Sequence, residues 1–499
     1  MRHAGAPDLS YSGVMRLDPS QCFDGLCARD RRFDGRFYVG VSSTGIYCRP
    51  ICAVRTPRRE HCSFYASAAA AEKAGFRPCL RCRPELAPGW GLPDMGSRLA
   101  QAAALLIEQG FLDEHGTEAL AARIGVGSRH LRRLFRAEFG VSMLELAQTQ
   151  RLLLAKQCLT QTALPVAEVA LACGFRSQRR FHAVLRQRWG LRAGQIRRGT
   201  PAAQGAQLEL ALGYRPPLAW QAWLDDAAAQ ALPGIEAIDQ GRYARTLRLQ
   251  GRHGRCEGWL LAWDDAPRCT LRVRASASLA PAISLLLARL RRMFDLGASP
   301  QAVDARLGEL ALRLPGLRVP GHADGFETLA RALLRSQRGA APRLLERLAA
   351  LCAGPLAPAA LDGAPAGLRT VFPLAAEVAG RQRGELLDCG WPAAAADGLL
   401  AAARGLADGS CELQPWSPLE PTLSWLRSLP GLDEAAVQWV AMQALGWPDA
   451  FAAGDAALQR AAGCGDAAAL AARAEDWRPW RAYAAMHLRQ RAAWRPEAA

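Results

Sequence analysis

The sequence predicts a multidomain protein of class α+β, organised in four units. Three observations carry this reading. At 499 residues the chain exceeds what one hydrophobic core organises. Two Pro/Gly-containing stretches, residues 86–96 and 197–207, punctuate it. The apolar pattern also changes period between them, alternating like strands in 36–48 and parts of 208–290 and following helical spacing elsewhere. The expected units are 16–88 (small, α/β), 97–198 (all-α), 206–290 (α+β) and 291–499 (all-α), behind a loose leader over 1–15.

Composition narrows the partner. Half of the residues are apolar and the net charge is +16, with a pI of about 9.6. Lysine occurs only at Lys73 and Lys156, so nearly all the positive charge is arginine. Arginine binds phosphate bidentately and stacks on bases, which favours a polyanion. High-GC coding bias explains the preference for arginine over lysine better than it explains the surplus of charge. The first ten residues hold no signal-peptide core, and no charge-free apolar run reaches about 18 residues. The expectation is a soluble, cytoplasmic protein. In a reducing compartment, scattered cysteines such as Cys158, Cys352 and Cys389 read as small core residues.

In the first unit, RFYVGVSSTGIYC (36–48) reads as two strands around a turn, and SAAAAEKAGF as a short helix ending at Gly75. Cys48 and Cys52 stand four apart, and Cys79 and Cys82 follow after a 26-residue insert. Two such pairs can place four thiolates on one tetrahedral zinc, which would also staple a domain this small. Cys62 reads as packing. Spacing alone leaves open a zinc that is purely structural.

The second unit holds a weak internal repeat. TEALAARIGVGSRHLRRLFRAEFG (117–140) and PVAEVALACGFRSQRRFHAVLRQRWG (165–190) each give a short helix, a Gly-containing turn and an Arg-rich helix. The outward residues of the second helices include Arg129, His130, Arg132, Arg133 and Arg136, then Gln178, Arg179, Arg180, His182 and Arg186. Arginine reaches guanine edges or phosphates and glutamine reads adenine, so paired recognition helices over about 128–139 and 177–189 fit double-stranded DNA. A single charged helix face is usually just solvated, but two in one repeated grammar are not easily read that way. In the last unit, 423–446 reads as helix, hairpin at Pro430-Gly431 and helix. Such a hairpin can hold a DNA phosphate on backbone N–H groups, with Gly431 and Asp433 at its tip.

Three resemblances sharpen these readings. TGIYCRPICAVRTPRRE, SFYA and AGFRPCLRCRPE, within residues 20–88, resemble the N-terminal domain of the Ada family of methyl-phosphotriester repair proteins. That resemblance implies that Cys48 is both zinc ligand and methyl acceptor, with Cys52, Cys79 and Cys82 completing the site of one zinc ion. Methylating one of four thiolates on zinc would reduce the site's charge from −2 to −1 and so favour DNA. The 165–190 stretch resembles AraC-type DNA-binding domains. GYRPPLAWQAWLDDAAAQALPGIEAID, YARTL, WPDAFAAGDAALQ and WRPWRAYAAMH resemble the AlkA family of 3-methyladenine DNA glycosylases. By that resemblance Asp455 is the catalytic carboxylate, which stabilises oxocarbenium-like charge after the base is flipped out, and Trp439 belongs to the base pocket.

Departures from the AlkA pattern accompany the match. Asp433 stands where the family hairpin has glycine, and Glu434 brings negative charge near the phosphate site. Asp433 would take a left-handed backbone position less easily than glycine. Ala435 replaces a pocket tryptophan, Leu334 to Gly339 departs from an early helix signature, and Arg489 stands where an aromatic is expected. An aromatic cage attracts a cationic base and an arginine repels it. No Pro-Cys-His-Arg motif occurs, so repair of O6-alkylguanine is not expected.

The combined expectation is a zinc-bound α/β domain, an all-α double helix-turn-helix domain, an α+β domain and an all-α helix-hairpin-helix glycosylase domain. The function that follows is response to DNA alkylation: irreversible methyl transfer to Cys48, methylation-switched transcriptional activation, and excision of alkylated bases. The alternative is a methyl sensor and regulator whose glycosylase half only binds DNA. Expected partners are double-stranded DNA, at damaged sites and operators, and RNA polymerase. The chain is expected to act as a monomer, with no membrane involved.

Overall fold

The structure is a computed structural model that describes residues 18–89, 98–197, 207–251, 254–337 and 339–493. The leader expected over 1–15, Arg338 and most of the two linkers lie outside the described residues.

A four-stranded sheet organises the cysteine-rich unit. Its strands are β1 (Tyr38–Val41), β2 (Ile46–Cys48), β3 (Cys62–Tyr65) and β4 (Arg77–Pro78), in the order β3-β1-β2-β4. β1 is antiparallel to β2 and β3, and β2 is parallel to β4. The register places Cys48 opposite Val39. Gly40 is glycine for space: a Cβ there would lie 2.8 Å from both the Phe76 and Tyr65 rings. The helix Ala68–Lys73 begins at Ser67, whose hydroxyl accepts the Ala70 N–H. Cys62 is buried with Cys22, Leu26, Phe37, Val39 and Val41, as its reading as a packing residue requires.

Both helix-turn-helix units form. The first is Thr117–Ile124 followed by Ser128–Phe139; the second is Val166–Ala172 followed by Gln178–Trp189. Ser177 caps the last of these from outside, accepting the Arg180 N–H. A 19-residue helix, Met143–Gln161, joins the units, and its start is closed by a reciprocal Ser142–Glu145 capping box. Leu131, Phe135 and Phe139 recur at helical spacing on the buried side of the first recognition helix.

The α+β unit is a five-stranded antiparallel sheet of β5 (Gln207–Gly213), β6 (Glu236–Asp239), β7 (Arg242–Gly251), β8 (Gly254–Asp265) and β9 (Thr270–Ser276), in the order β5-β9-β8-β7-β6. One hydrophobic cluster runs from Leu152 of the joining helix, through the second helix-turn-helix, into this sheet and on to Ala323. The second helix-turn-helix therefore shares its core with the sheet. The C-terminal helices bury a separate cluster that includes Leu333, Leu399, Val437 and Met486. Among the described residues no helix is long and apolar enough to cross a membrane.

Polar contacts fasten the cysteine-rich unit to its neighbours. Ser67 Oγ donates to the Phe139 carbonyl at 3.1 Å, and buried Lys156 pairs with Glu85. Arg215 is fully buried and donates to the carbonyls of Asp34 (3.0 Å) and Gly297 (2.8 Å).

Candidate metal centre, DNA-reading helices and base pocket

The parallel pairing of β2 with β4 explains how two distant cysteine pairs meet. Cys48 ends β2, and Cys79 follows β4, its N–H bonded to the Tyr47 carbonyl at 3.0 Å. Short turns then carry Cys52 and Cys82 back toward the same point. The four sulfurs lie within 4.8 Å of one another. Cys48, Cys52 and Cys79 are buried, and Cys82 is partly exposed. Four thiolates at such separations repel unless a cation holds them, and an all-sulfur tetrad in a small domain suits zinc. The residues present fit one zinc ion, and zinc is the chain's cofactor.

The four sulfurs are not equivalent. The Cys82 sulfur accepts the Arg49 N–H at 3.3 Å. A small cleft edged by Leu26, Val54, Thr56 and Pro57 touches Cys48 and Cys52. Arg49 also donates to the Cys82 carbonyl at 3.1 Å and forms a buried ion pair with Asp34.

Next to Cys48, Tyr47 leads away from the metal site. Its hydroxyl donates to Glu72 at 3.1 Å, and Glu72 also accepts from Thr149 of the joining helix (2.9 Å) and from Trp189 Nε1 of the second recognition helix (3.0 Å). Burial pushes the Glu72 carboxyl up, and the three donors offset part of that. Sequence reading missed Glu72; a glutamate inside an alanine-rich helix carries no local signal of a buried hub.

The DNA-reading candidates fall where expected. Arg129, His130, Arg132, Arg133 and Arg136 are exposed, as are Gln178, Arg179, Arg180 and Arg186, while His182 is half-buried. Arg132 pairs with Glu118, and Arg133 lies 3.2 Å from His130 Nδ1.

The hairpin joins Leu419–Ser428 to Glu434–Gln443. Gly431 has φ +79, and a Cβ there would lie 2.9 Å from the Ala394 carbonyl oxygen, so this position needs glycine. Asp433 corrects one expectation. Its φ is −87, not left-handed, because it is the N-cap of the following helix and accepts the Ala436 N–H at 2.7 Å. Glu434 is also not a bare charge: Arg427 donates to it at 2.9 and 3.0 Å.

Asp455 caps the helix Ala456–Ala462, its Oδ1 accepting from Ala457 (2.8 Å) and Leu458 (3.3 Å). Its Oδ2 accepts from Arg335 Nη2 at 2.8 Å. Burial alone would raise this carboxyl; the Ala457 N–H, the Arg335 guanidinium and the Leu458 N–H together hold it below the ordinary aspartate range. Arg335 also donates to the Ala435 carbonyl at 2.9 Å. Asp455, Trp439, Arg335 and Arg489 line one cavity of about 400 Å³. The Arg489 guanidinium carbon sits 4.1 Å from the Trp439 ring centroid and that of Arg335 sits 5.4 Å from it. Arg489 also pairs with Asp226 at 3.1 Å. The departure at Leu334–Gly339 flagged this stretch without disclosing the Arg335–Asp455 pair, and nothing in the sequence pointed to Asp226.

Three family models match the chain: the metal binding domain of Ada over 21–85, a helix-turn-helix domain over 120–199 and the AlkA N-terminal domain over 209–324. A Mycobacterium tuberculosis (strain H37Rv) protein named "Probable bifunctional transcriptional activator/DNA repair enzyme AlkA" is 35% identical over 492 residues, covering 95% of this chain and 96% of that protein. The chain belongs to this bifunctional AlkA family. Its Ada-like and AlkA-like parts also match separate proteins of Escherichia coli (strain K12). DNA-3-methyladenine glycosylase 2 is 30% identical over 290 residues, 58% of this chain and 99% of that protein. The bifunctional transcriptional activator/DNA repair enzyme Ada is 33% identical over 183 residues, 37% of this chain and 50% of that protein. This AlkA-family chain thus joins a metal-binding Ada module and a helix-turn-helix to an AlkA-like half.

Proposed function

We propose that this chain repairs and reports DNA alkylation, taking methyl groups from backbone phosphotriesters at Cys48 and excising damaged bases at Asp455. The observation that carries the reading is the four-sulfur cluster itself, with Cys48 at the end of β2 beside a cleft edged by Leu26, Val54, Thr56 and Pro57. Bound zinc keeps the thiolates deprotonated at neutral pH. The Cys48 sulfur attacks the methyl carbon, the C–O bond breaks, and its electron pair stays on the phosphate oxygen. The protein loses one negative charge and the DNA regains one. Cys52, Cys79 and Cys82 are the remaining metal ligands in this reading. The thioether is not reversed, so the module acts once.

The link from repair to regulation is Tyr47–Glu72–Trp189, which ties the residue beside Cys48 to the second recognition helix. A less negative site repels the DNA backbone less, so Arg129, His130, Arg132, Arg133, Arg136, Gln178, Arg179, Arg180 and Arg186 engage an operator more tightly after methylation. Two helix-turn-helix units in one chain supply both major-groove contacts that a dimer otherwise provides, which supports a monomer. The activator names of the relatives support RNA polymerase as partner. The working limits of the four units remain 16–88, 97–198, 206–290 and 291–499.

In the AlkA-like half, Gly431 and Asp433 lie at a phosphate-binding hairpin, Trp439 in the base pocket, and Asp455 stabilises positive charge on the deoxyribose. The Arg335–Asp455 ion pair favours a second reading, in which this half binds DNA without cutting it. Mass spectrometry after exposure to methyl-phosphotriester DNA tests the first module. One added methyl on Cys48 supports the proposal, and methyl on another residue or on none sinks it. Base release from alkylated duplex by the wild type, lost in Asp455→Asn, decides between the two readings of the second half.

A further inference from the structure

The base pocket departs from an aromatic cage in a specific way. The electron-rich face of Trp439 is the feature that would attract a cationic base, and the Arg489 guanidinium already covers it at 4.1 Å. A second guanidinium, Arg335, lies 5.4 Å from the same ring. Of the carboxylates that line the cavity, Asp455 is engaged by Arg335 and Asp226 by Arg489, while exposed Asp225 accepts from Gln221. A base carrying positive charge would meet two guanidiniums at the Trp439 face, with Asp455 and Asp226 already paired.

We propose that Arg489 and Arg335 are specificity-determining residues that make this pocket select neutral damaged bases, with carbonyl or ring-nitrogen acceptors on their edge, over cationic N-alkylpurines. The proposal rests on reading Asp455 as the glycosylase carboxylate. Leaving-group chemistry agrees with it. A cationic base departs neutral and needs no help. A neutral base departs with the electron pair of the C1′–N bond and gains negative charge, which guanidinium N–H groups stabilise by donating to its acceptors. Water then adds its oxygen to C1′, and its proton ends on the released base. Asp455 faces the sugar side of this exchange, where positive charge develops.

Full-length, zinc-loaded protein tests this with two duplexes, one carrying a single hypoxanthine (neutral, with a carbonyl) and one a single 7-methylguanine (cationic). Single-turnover release is measured against the protein-free rate of each duplex. The wild type is expected to enhance hypoxanthine release at least tenfold more than 7-methylguanine release. Arg489→Gln, which uncovers Trp439, is expected to lower that ratio about tenfold, and Arg489→Lys, which keeps the charge, to preserve most of it. The ratio is the readout because a merely damaged fold slows both substrates together. Preferential release of 7-methylguanine, or a ratio that Arg489→Gln leaves unchanged, overturns the selectivity while leaving the glycosylase reading in place. Release of neither base, in protein that still methylates Cys48, overturns both.

Discussion

At the cysteine cluster four sulfurs are drawn within 4.8 Å of one another, an arrangement that four thiolates keep only around a cation. At Asp455 a single carboxylate is already matched by Arg335 at 2.8 Å. The first site gathers negative charge and relies on a metal to stabilise it; the second cancels its charge within the protein. The difference teaches where each chemistry gets its driving force. In the proposed reading, methyl transfer draws on a thiolate kept anionic by the metal. In the same proposed reading, base excision draws on a carboxylate that acts on the sugar while tethered to an arginine.

Separating the two centres produces the largest expected effects. Cys48→Ser abolishes methyl transfer, read by mass spectrometry, and leaves base release unchanged; loss of both activities would mean that the sites are one cooperative unit. Conversely, Asp455→Asn lowers base release by roughly 100-fold or more, the scale of losing a preorganised charge in an active site. Methylation of Cys48 is unaffected.

The structural ties between the centres give intermediate effects. Asp34 pairs with buried Arg49 beside Cys82, and its carbonyl accepts from buried Arg215 of the AlkA-like half. Asp34→Ala strands the Arg49 charge and costs about 3–5 kcal/mol. Thermal unfolding followed by zinc release should then show the metal leaving at a lower temperature, and an unchanged release temperature would remove Asp34 from the account.

Smallest is a pH effect. The Asp455 carboxyl sits below the ordinary aspartate range, so its charge persists above that range and is lost only as pH falls through the depressed value. Arg335→Gln removes one cause of the depression and is expected to move the acid limb of the base-release profile upward. A limb that stays in place would show that the two helix N–H groups alone set it.

The contrast also explains what the sequence could disclose. The metal site is local: two short cysteine spacings and one sheet register bring its ligands together, so spacing alone announced it. The recognition helices were legible because apolar residues at helical spacing fix which face is buried, leaving the arginines outside. The base pocket is assembled from pairs 120 and 263 residues apart, Arg335 with Asp455 and Arg489 with Asp226. Tertiary pairs of that kind leave no periodic trace. Asp433 was misread for a related reason. An aspartate ahead of a helix is as much an N-cap as a strained turn residue, and the helix beginning at Glu434 decided the matter.

The central claim is that charge lost at Cys48 becomes affinity gained by the recognition helices. It is tested most directly by the affinity of the full chain for duplex DNA, before and after complete methylation of Cys48, at two salt concentrations. The account predicts tighter binding after methylation at both, with the gain shrinking as salt screens it. Equal affinity before and after, with Cys48 fully methylated, would contradict it.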